Sequence, residues 1–299
     1  KSNLIVMVLR RIKKGNGYKY YNDTTEIKNN KHIEEIATKF KQLRIPPGYI
    51  NVELFPNSKE VIAKCKDADN RSQYLYHPEF VKKQKKLKYC NLIKFGKQLP
   101  TLQRKIEKDF KSTDAKKKAI ATALKVVLEC NFRIGNKKYK DKYNSHGVLT
   151  MDASHIKGNK IEFTGKKGVD NKCTITDRQL LTALNKLKKN KDFIFQYDGK
   201  ILTSKVVNNY LDNVGKGFTA KYFRTWAANI NFIEEVNGKT LTTKSLKEAI
   251  EQVAIKLDHT AAICKKSYLY DELMDYALEK GISTRNPDKY LIDFLQKKC

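Results

Sequence analysis

The chain has 299 residues, room for two domains of ordinary size, and its 40% hydrophobic and 10% aromatic content supplies real cores and excludes wholesale disorder. Sixty-one basic against 32 acidic residues leave a net charge of +29, an excess that points to a polyanionic partner, of which nucleic acid is the commonest. No apolar run approaches the ~20 residues needed to span a bilayer. Leu4–Leu9 is too short for a signal peptide, and its basic pair Arg10–Arg11 follows it instead of preceding it. The chain starts at Lys1 without Met, so a short leader or initiator residue is expected ahead of it. Six cysteines (Cys65, Cys90, Cys130, Cys173, Cys264 and Cys299) include no C-x-x-C pair. That argues against a zinc ribbon and against a dense disulfide framework, and reduced thiols in an intracellular protein are expected. Only nine of the basic residues are arginine. The abundance of Lys, Asn, Ile and Tyr is what an AT-rich genome produces, so the lysine excess counts for little. The few arginines are more telling, because they stand where a permanently charged, bidentate fork is worth keeping.

In chain order, Leu4–Arg11 and Tyr18–Tyr21 read as strands. Asn30–Gln42 follows as a helix with Ile33, Ile36 and Phe40 on one face. Pro46–Pro47–Gly48 breaks the chain, and Asn51–Phe55, Val61–Asp67 and Gln73–Tyr76 read as further strands. Alternation in the last of these puts Tyr74 and Tyr76 on the same face. Val81–Lys88 is a strongly basic segment: either a solvated linker or helix face, or a strap that lies along phosphates. Lys116–Cys130 carries Ile120, Leu124, Val127 and Leu128 at helical spacing. Between Gly147 and Thr176 the period changes to two. His155–Ile156, Lys160–Phe163 and Lys172–Ile175 are expected strands, with turns at Gly158–Asn159 and Val169–Asn171. Helices are expected at Asp177–Lys189, Ser204–Val214, Thr219–Glu235 and Thr243–Leu257, with two more to the end. The fold class is therefore α+β. A small strand-rich unit over residues 1–82 precedes a mainly α unit with a small antiparallel sheet over 83–299.

Four separated motifs carry reactive groups in the second unit. Arg133 lies in Phe132-Arg133-Ile134-Gly135-Asn136, directly after an expected helix. Lys166 lies in Phe163-Thr164-Gly165-Lys166 on the expected β-hairpin. Arg224 lies in Lys221-Tyr222-Phe223-Arg224, and His259 precedes Tyr268 by nine residues. Singly, each has an ordinary explanation as a helix cap, a solvated turn lysine or a structural histidine. Their order and spacing are what carry weight.

Arg, hairpin Lys, K-x-x-R and H-x8-Y in that order resemble the catalytic core of type IB DNA topoisomerases, especially the compact enzymes of poxviruses, giant viruses and bacteria. Gln73-Tyr74-Leu75-Tyr76 is similar to the Q-Y-x-Y segment of that family's N-terminal domain. Gly147-Val148-Leu149-Thr150 and Tyr139 fit the family as well. The resemblance implies that residues 1–82 bind DNA and residues 83–299 catalyse. Tyr268 would attack the scissile phosphodiester and form a 3′-phosphotyrosyl link, so that religation needs neither ATP nor metal and no cofactor is expected. Arg133 and Arg224 would hold the non-bridging oxygens, with a further hydrogen bond from His259. Lys166, with Arg133, would protonate the departing 5′-oxygen. Tyr270 lies two residues past Tyr268, but the nine-residue spacing from His259 favours Tyr268.

Double-stranded DNA is the expected partner, held by a monomer that closes as a clamp. Gln73, Tyr74 and Tyr76 are candidates for the major groove, where glutamine pairs with adenine and aromatics meet thymine methyls. Lys137, Lys138 and Tyr139 are candidates for phosphates or base edges, and most other lysines for salt-sensitive backbone affinity. Two positions depart from the family pattern. Lys167 stands where an acidic residue is common, leaving two adjacent lysines for the acid role, with the Gly-Lys match favouring Lys166. Asn136 replaces a basic residue, so poxvirus cleavage preference need not carry over. The composition suggests a large DNA virus, with an intracellular location in the virion or at the replication site. The alternative is a tyrosine recombinase or integrase, which shares the same reactive set. Recombinases usually carry His where this chain has Lys221 and have a helical N-terminal domain, so both features here favour topoisomerase. A non-enzymatic DNA-packaging protein would suit the charge but leaves the order of four motifs unexplained.

Overall fold

The structure is a computed structural model that describes residues 8–29, 31, 35, 45–190 and 192–299. The chain forms two compact units, Lys1–Lys88 and Tyr89–Cys299.

The first unit is a six-stranded sheet of β1 (Leu9–Lys14), β2 (Gly17–Asn22), β3 (Thr25–Glu26), β4 (Ile50–Leu54), β5 (Val61–Lys66) and β6 (Ser72–Tyr76), in the order β3-β2-β1-β4-β5-β6. Each neighbouring pair is antiparallel. One face buries Leu9, Val52, Leu54, Ala63 and Cys65. The Asp67 carboxylate ties the β5–β6 turn by accepting from the backbone N–H groups of Asp69 and Arg71, each at 3.0 Å. The expected early strand is seen as β1, while its first residues and most of the expected Asn30–Gln42 helix lie outside the described residues. The basic run Val81–Lys88 is helical, within the opening turns of α1 (Pro78–Phe110).

The second unit is mainly helical: α2 (Ala115–Cys130), α3 (Lys137–Tyr143), α4 (Arg178–Leu187), α5 (Ser204–Asp212), α6 (Lys221–Val236), α7 (Thr243–Lys256), α8 (Ala261–Ser267), α9 (Asp271–Lys280) and α10 (Pro287–Lys298). Three helices follow α7 where two were expected. The chain leaves helical geometry at Tyr268 because the Tyr270 N–H bonds the Asn229 side chain (3.1 Å), away from any helical ladder. One hairpin sheet, β7 (Ile156–Lys157), β8 (Lys160–Thr164) and β9 (Asp170–Thr174), stands among the helices, with a short pair β10 (Gln196–Tyr197) and β11 (Lys200–Ile201). The β8–β9 turn comes earlier than Val169–Asn171. Asn171 is already paired with Phe163, and the loop closes through Gly165 N–H to the Val169 carbonyl at 2.7 Å.

Its core gathers apolar faces from nearly every helix, including Phe95, Leu124, Phe132, Phe232 and Leu273. Gly96 of α1 is required by that packing: a Cβ there would stand 2.2 Å from the Trp226 ring of α6. The expectation of reduced thiols is corrected. Cys90 is bonded to Cys299 and Cys130 to Cys173, with Cα atoms 5.6 and 5.5 Å apart, leaving Cys65 and Cys264 as buried free thiols. Partners 209 and 43 residues apart meet only through folding, so spacing along the chain could not reveal them. Among the described residues no helix is long and apolar enough to cross a membrane.

Candidate active site

Four elements of the second unit converge on one cleft of about 470 Å³, whose walls include Arg133, Lys166, Arg224 and Tyr268. Arg133 sits just past α2, which ends when Asn131 turns left-handed (φ 54°) and caps it through its N–H to Val127. Phe132 then anchors the loop by packing edge-on against Phe163 of β8, centroids 4.8 Å apart. The Arg133 and Ile134 carbonyls accept the Val148 and Leu149 N–H groups at 3.0 and 2.8 Å. Gly135 (φ 81°) and Gly147 allow that approach, since a Cβ on Gly147 would lie 2.6 Å from the Gly135 Cα. The loop bearing Arg133 is therefore stapled in place.

Arg224, one turn into α6, is only 3% exposed. Its two terminal nitrogens donate to the Asn131 and Leu257 carbonyls, and so link the ends of α2 and α7. Its Nε is buried with no partner among the described residues. Burial, seconded by the nearby Arg133 charge, pushes its pKa down to about 10, which leaves it charged at neutral pH. Its guanidinium carbon lies 5.5 Å from the Tyr268 ring centroid.

His259 follows α7, placed by a left-handed Asp258 (φ 47°) and by its own N–H to the Ala254 carbonyl at 2.9 Å. Burial and then the Arg224 and Arg133 charges push its pKa down to about 3, so the ring is neutral. A neutral imidazole can accept from Arg133, whose Nη2 lies 3.2 and 3.1 Å from the two ring nitrogens. The same ring tilts over Tyr268 with centroids 4.9 Å apart.

Tyr268 ends α8 and is 7% exposed. Two residues that sequence reasoning missed hold its backbone. Fully buried Asn229 of α6 donates from Nδ2 to the Tyr268 carbonyl (2.9 Å) and to Thr225 (2.8 Å), and accepts the Tyr270 N–H through Oδ1 (3.1 Å). The Tyr89 hydroxyl of α1 reaches the carbonyls of Tyr268 (3.1 Å) and Leu269. An Asn inside an otherwise apolar helix face was the available signal, because such a group must find partners. Tyr270, by contrast, packs its ring 4.4 Å from that of Tyr89 and against Phe294, and is not among the residues lining the cleft.

Lys166 stands exposed at the β8–β9 tip and borders the cleft. Lys167, left-handed at φ 64°, is also exposed and is not among the residues bordering it. Of the expected DNA contacts, Tyr139 borders the cleft, half-exposed and stacked on Tyr143 at 6.0 Å. Lys137 and Lys138 are exposed in the first turn of the same helix, α3. In the first unit Tyr74 and Tyr76 share an exposed face of β6 with centroids 6.4 Å apart. Gln73 points to the opposite face, its amide donating to Asp67 at 2.8 Å.

Against known proteins, the catalytic core of eukaryotic DNA topoisomerase I matches residues 77–287. DNA topoisomerase 1B of Acanthamoeba polyphaga mimivirus is 31% identical over 311 residues, covering 92% of this chain and 89% of that protein. DNA topoisomerase 1 of Rabbit fibroma virus is 25% identical, covering 79% of this chain and 80% of its own. DNA topoisomerase 1 of Daucus carota is 28% identical over 53% of this chain but only 22% of the plant protein. Nothing in these relatives favours a recombinase. With two arginines, a histidine and a tyrosine in mutual contact beside a hairpin lysine, and with relatives of this kind along most of its length, the chain belongs to the DNA topoisomerase I family, as a compact type IB enzyme of the kind found in viruses.

Proposed function

We propose that Tyr268 is the nucleophile that opens one strand of duplex DNA. The observation that carries this is the nest around it: the Arg224 guanidinium and the His259 ring both lie against the Tyr268 ring, in a cleft shared with Arg133 and Lys166. The phenolic oxygen attacks the scissile phosphorus and gives its proton to water. The P–O5′ bond breaks, and the 5′-oxygen leaves with a proton from Lys166. Arg224 reaches a non-bridging oxygen through the buried Nε, since its terminal nitrogens are already engaged. Arg133 exchanges His259 for phosphate, and His259 then donates from its protonated nitrogen. The energy of the phosphodiester persists in the 3′-phosphotyrosyl ester, so religation by the 5′-hydroxyl needs neither ATP nor metal.

Residues 1–82 contribute Tyr74 and Tyr76 to the major groove, while Gln73, on the other face of the strand, braces the Asp67 turn. Lys137, Lys138 and Tyr139 contact the DNA backbone next to the cleft. The protein works as a monomeric clamp that lets the duplex beyond the nick rotate, within a virion or a viral replication site. Plasmid relaxation in EDTA without ATP, stopped with SDS and probed for protein-linked DNA, tests this for wild type and Tyr268→Phe. Relaxation with a 3′-linked adduct that disappears in the variant is expected. An adduct without relaxation would favour recombination, and tight binding with no adduct would remove Tyr268 from chemistry.

A further inference from the structure

Two histidines of the hairpin region pack with tilted rings, centroids 4.5 Å apart, and their surroundings separate their tasks. His155 is spent on local structure: its Nδ1 accepts the Asp152 N–H at 3.0 Å, and its ring edges against Phe163. His146 differs. Its Nδ1 lies 2.8 Å from the Thr150 carbonyl, which can only accept, so Nδ1 carries the proton and Nε2 is the ring's open position. The residue borders the same cleft as Arg133, Lys166, Arg224 and Tyr268.

Its mounting is unusually firm. The His146 N–H donates to the Thr164 carbonyl at 3.0 Å, on the strand that leads to Lys166. The next residue, Gly147, is pressed against Gly135, and Val148 bonds the Arg133 carbonyl. His146 thus sits on the seam between the loop that carries Arg133 and the hairpin that carries Lys166.

We propose that His146 is a further DNA-contacting residue of this enzyme, its Nε2 donating a hydrogen bond to a backbone phosphate oxygen beside the scissile one. The inference rests on the assignment of the cleft to DNA cleavage. In that complex with DNA both ring nitrogens donate, Nδ1 to the Thr150 carbonyl and Nε2 to the phosphate oxygen. The nearest titratable groups are His155 and Asp152 from the following turn, and the cleft it borders is also lined by Arg133, Tyr139, Lys166, Lys221, Arg224 and Tyr268. The phosphate supplies the counter-charge that this largely cationic wall lacks.

Asparagine and glutamine divide the two ends of the ring. His146→Asn keeps a donor near Nδ1 for Thr150 and removes the group at Nε2, whereas His146→Gln carries an amide donor out to the Nε2 position and gives up Thr150. The test is affinity for a fluorescent duplex in the Tyr268→Phe background, together with single-turnover adduct formation in chains that keep Tyr268. Loss of a hydrogen bond to a charged group predicts about tenfold weaker binding or more for His146→Asn. His146→Gln is expected close to wild type. Equal loss in both variants, no loss in either, or loss in His146→Gln alone would each overturn the proposal and leave His146 a structural residue. Failure of the wild-type chain to form any adduct would instead overturn the cleavage assignment itself.

Discussion

Replacing Asn229 with alanine isolates the anchoring of the proposed nucleophile from its chemistry, because the hydrogen bonds of Asn229 go to backbone groups of Thr225, Tyr268 and Tyr270 and to no reacting atom. It makes three hydrogen bonds, to the carbonyls of Thr225 and Tyr268 and from the Tyr270 N–H. The Tyr268 carbonyl keeps Tyr89 as a second partner. The group orphaned outright is the buried Tyr270 N–H, whose desolvation costs about 1–3 kcal/mol. Adding the small void left by the amide gives a loss of about 2–4 kcal/mol. For a unit of this size that lowers Tm by roughly 5–15 °C. The larger effect is expected on rate, since a displacement of the nucleophile of order 1 Å costs about a hundredfold. DNA affinity should stay near wild type, as no phosphate-facing group is altered. Single-turnover cleavage of a duplex under saturating enzyme, quenched with SDS and paired with thermal melting, measures both quantities. Cleavage within about twofold of wild type at a temperature where the variant is folded would refute the anchoring argument, even if Tm falls as expected.

Three further outcomes follow from the geometry. Lys166→Ala should slow cleavage of ordinary DNA yet regain speed on a 5′-phosphorothiolate, whose sulfur leaves without a proton; the same rescue in Lys167→Ala in place of Lys166→Ala would reassign the acid. Gly147→Ala must push the Arg133 loop, because its Cβ would lie 2.6 Å from the Gly135 Cα and 2.7 Å from the Arg133 carbonyl; cleavage should fall about tenfold or more with native circular dichroism, and an unchanged rate would show that the seam gives way freely. For His259 the folded state stays neutral down to about pH 3, whereas the unfolded chain takes up a proton near 6.5. The unfolded state therefore binds more protons between those values, and stability falls as pH drops through that window. His259→Gln should flatten that part of the Tm-against-pH curve, and an identical slope in the variant would assign it to other groups.

Much of the site was legible because its chemistry is written in residue type and order. An arginine after a helix, a lysine in a hairpin, K-x-x-R and H-x8-Y each sit where local signals place a helix end or a turn, and those signals are short-range. Period-two and helical spacing likewise located β8, α2, α6 and α7 to within a few residues. Gln73 shows the limit of that reasoning: alternation within β6 separates it from Tyr74 and Tyr76, and Asp67, across a turn, occupies its amide.

The sequence by itself determined the α+β class, the main run of strands followed by helices and the cationic character, and it nominated the groups proposed to cleave a phosphodiester, since each depends on residues near one another in the chain. Only the tertiary structure decided that Arg224 is 3% exposed with its Nε unspent, that His259 is neutral, and that Cys130 meets Cys173. It alone decided that Asn229 and Tyr89 hold Tyr268 in place. Burial and contact between segments from 39 to 179 residues apart are properties of packing, and a side chain's protonation and reach depend on that packing as much as on its own chemistry.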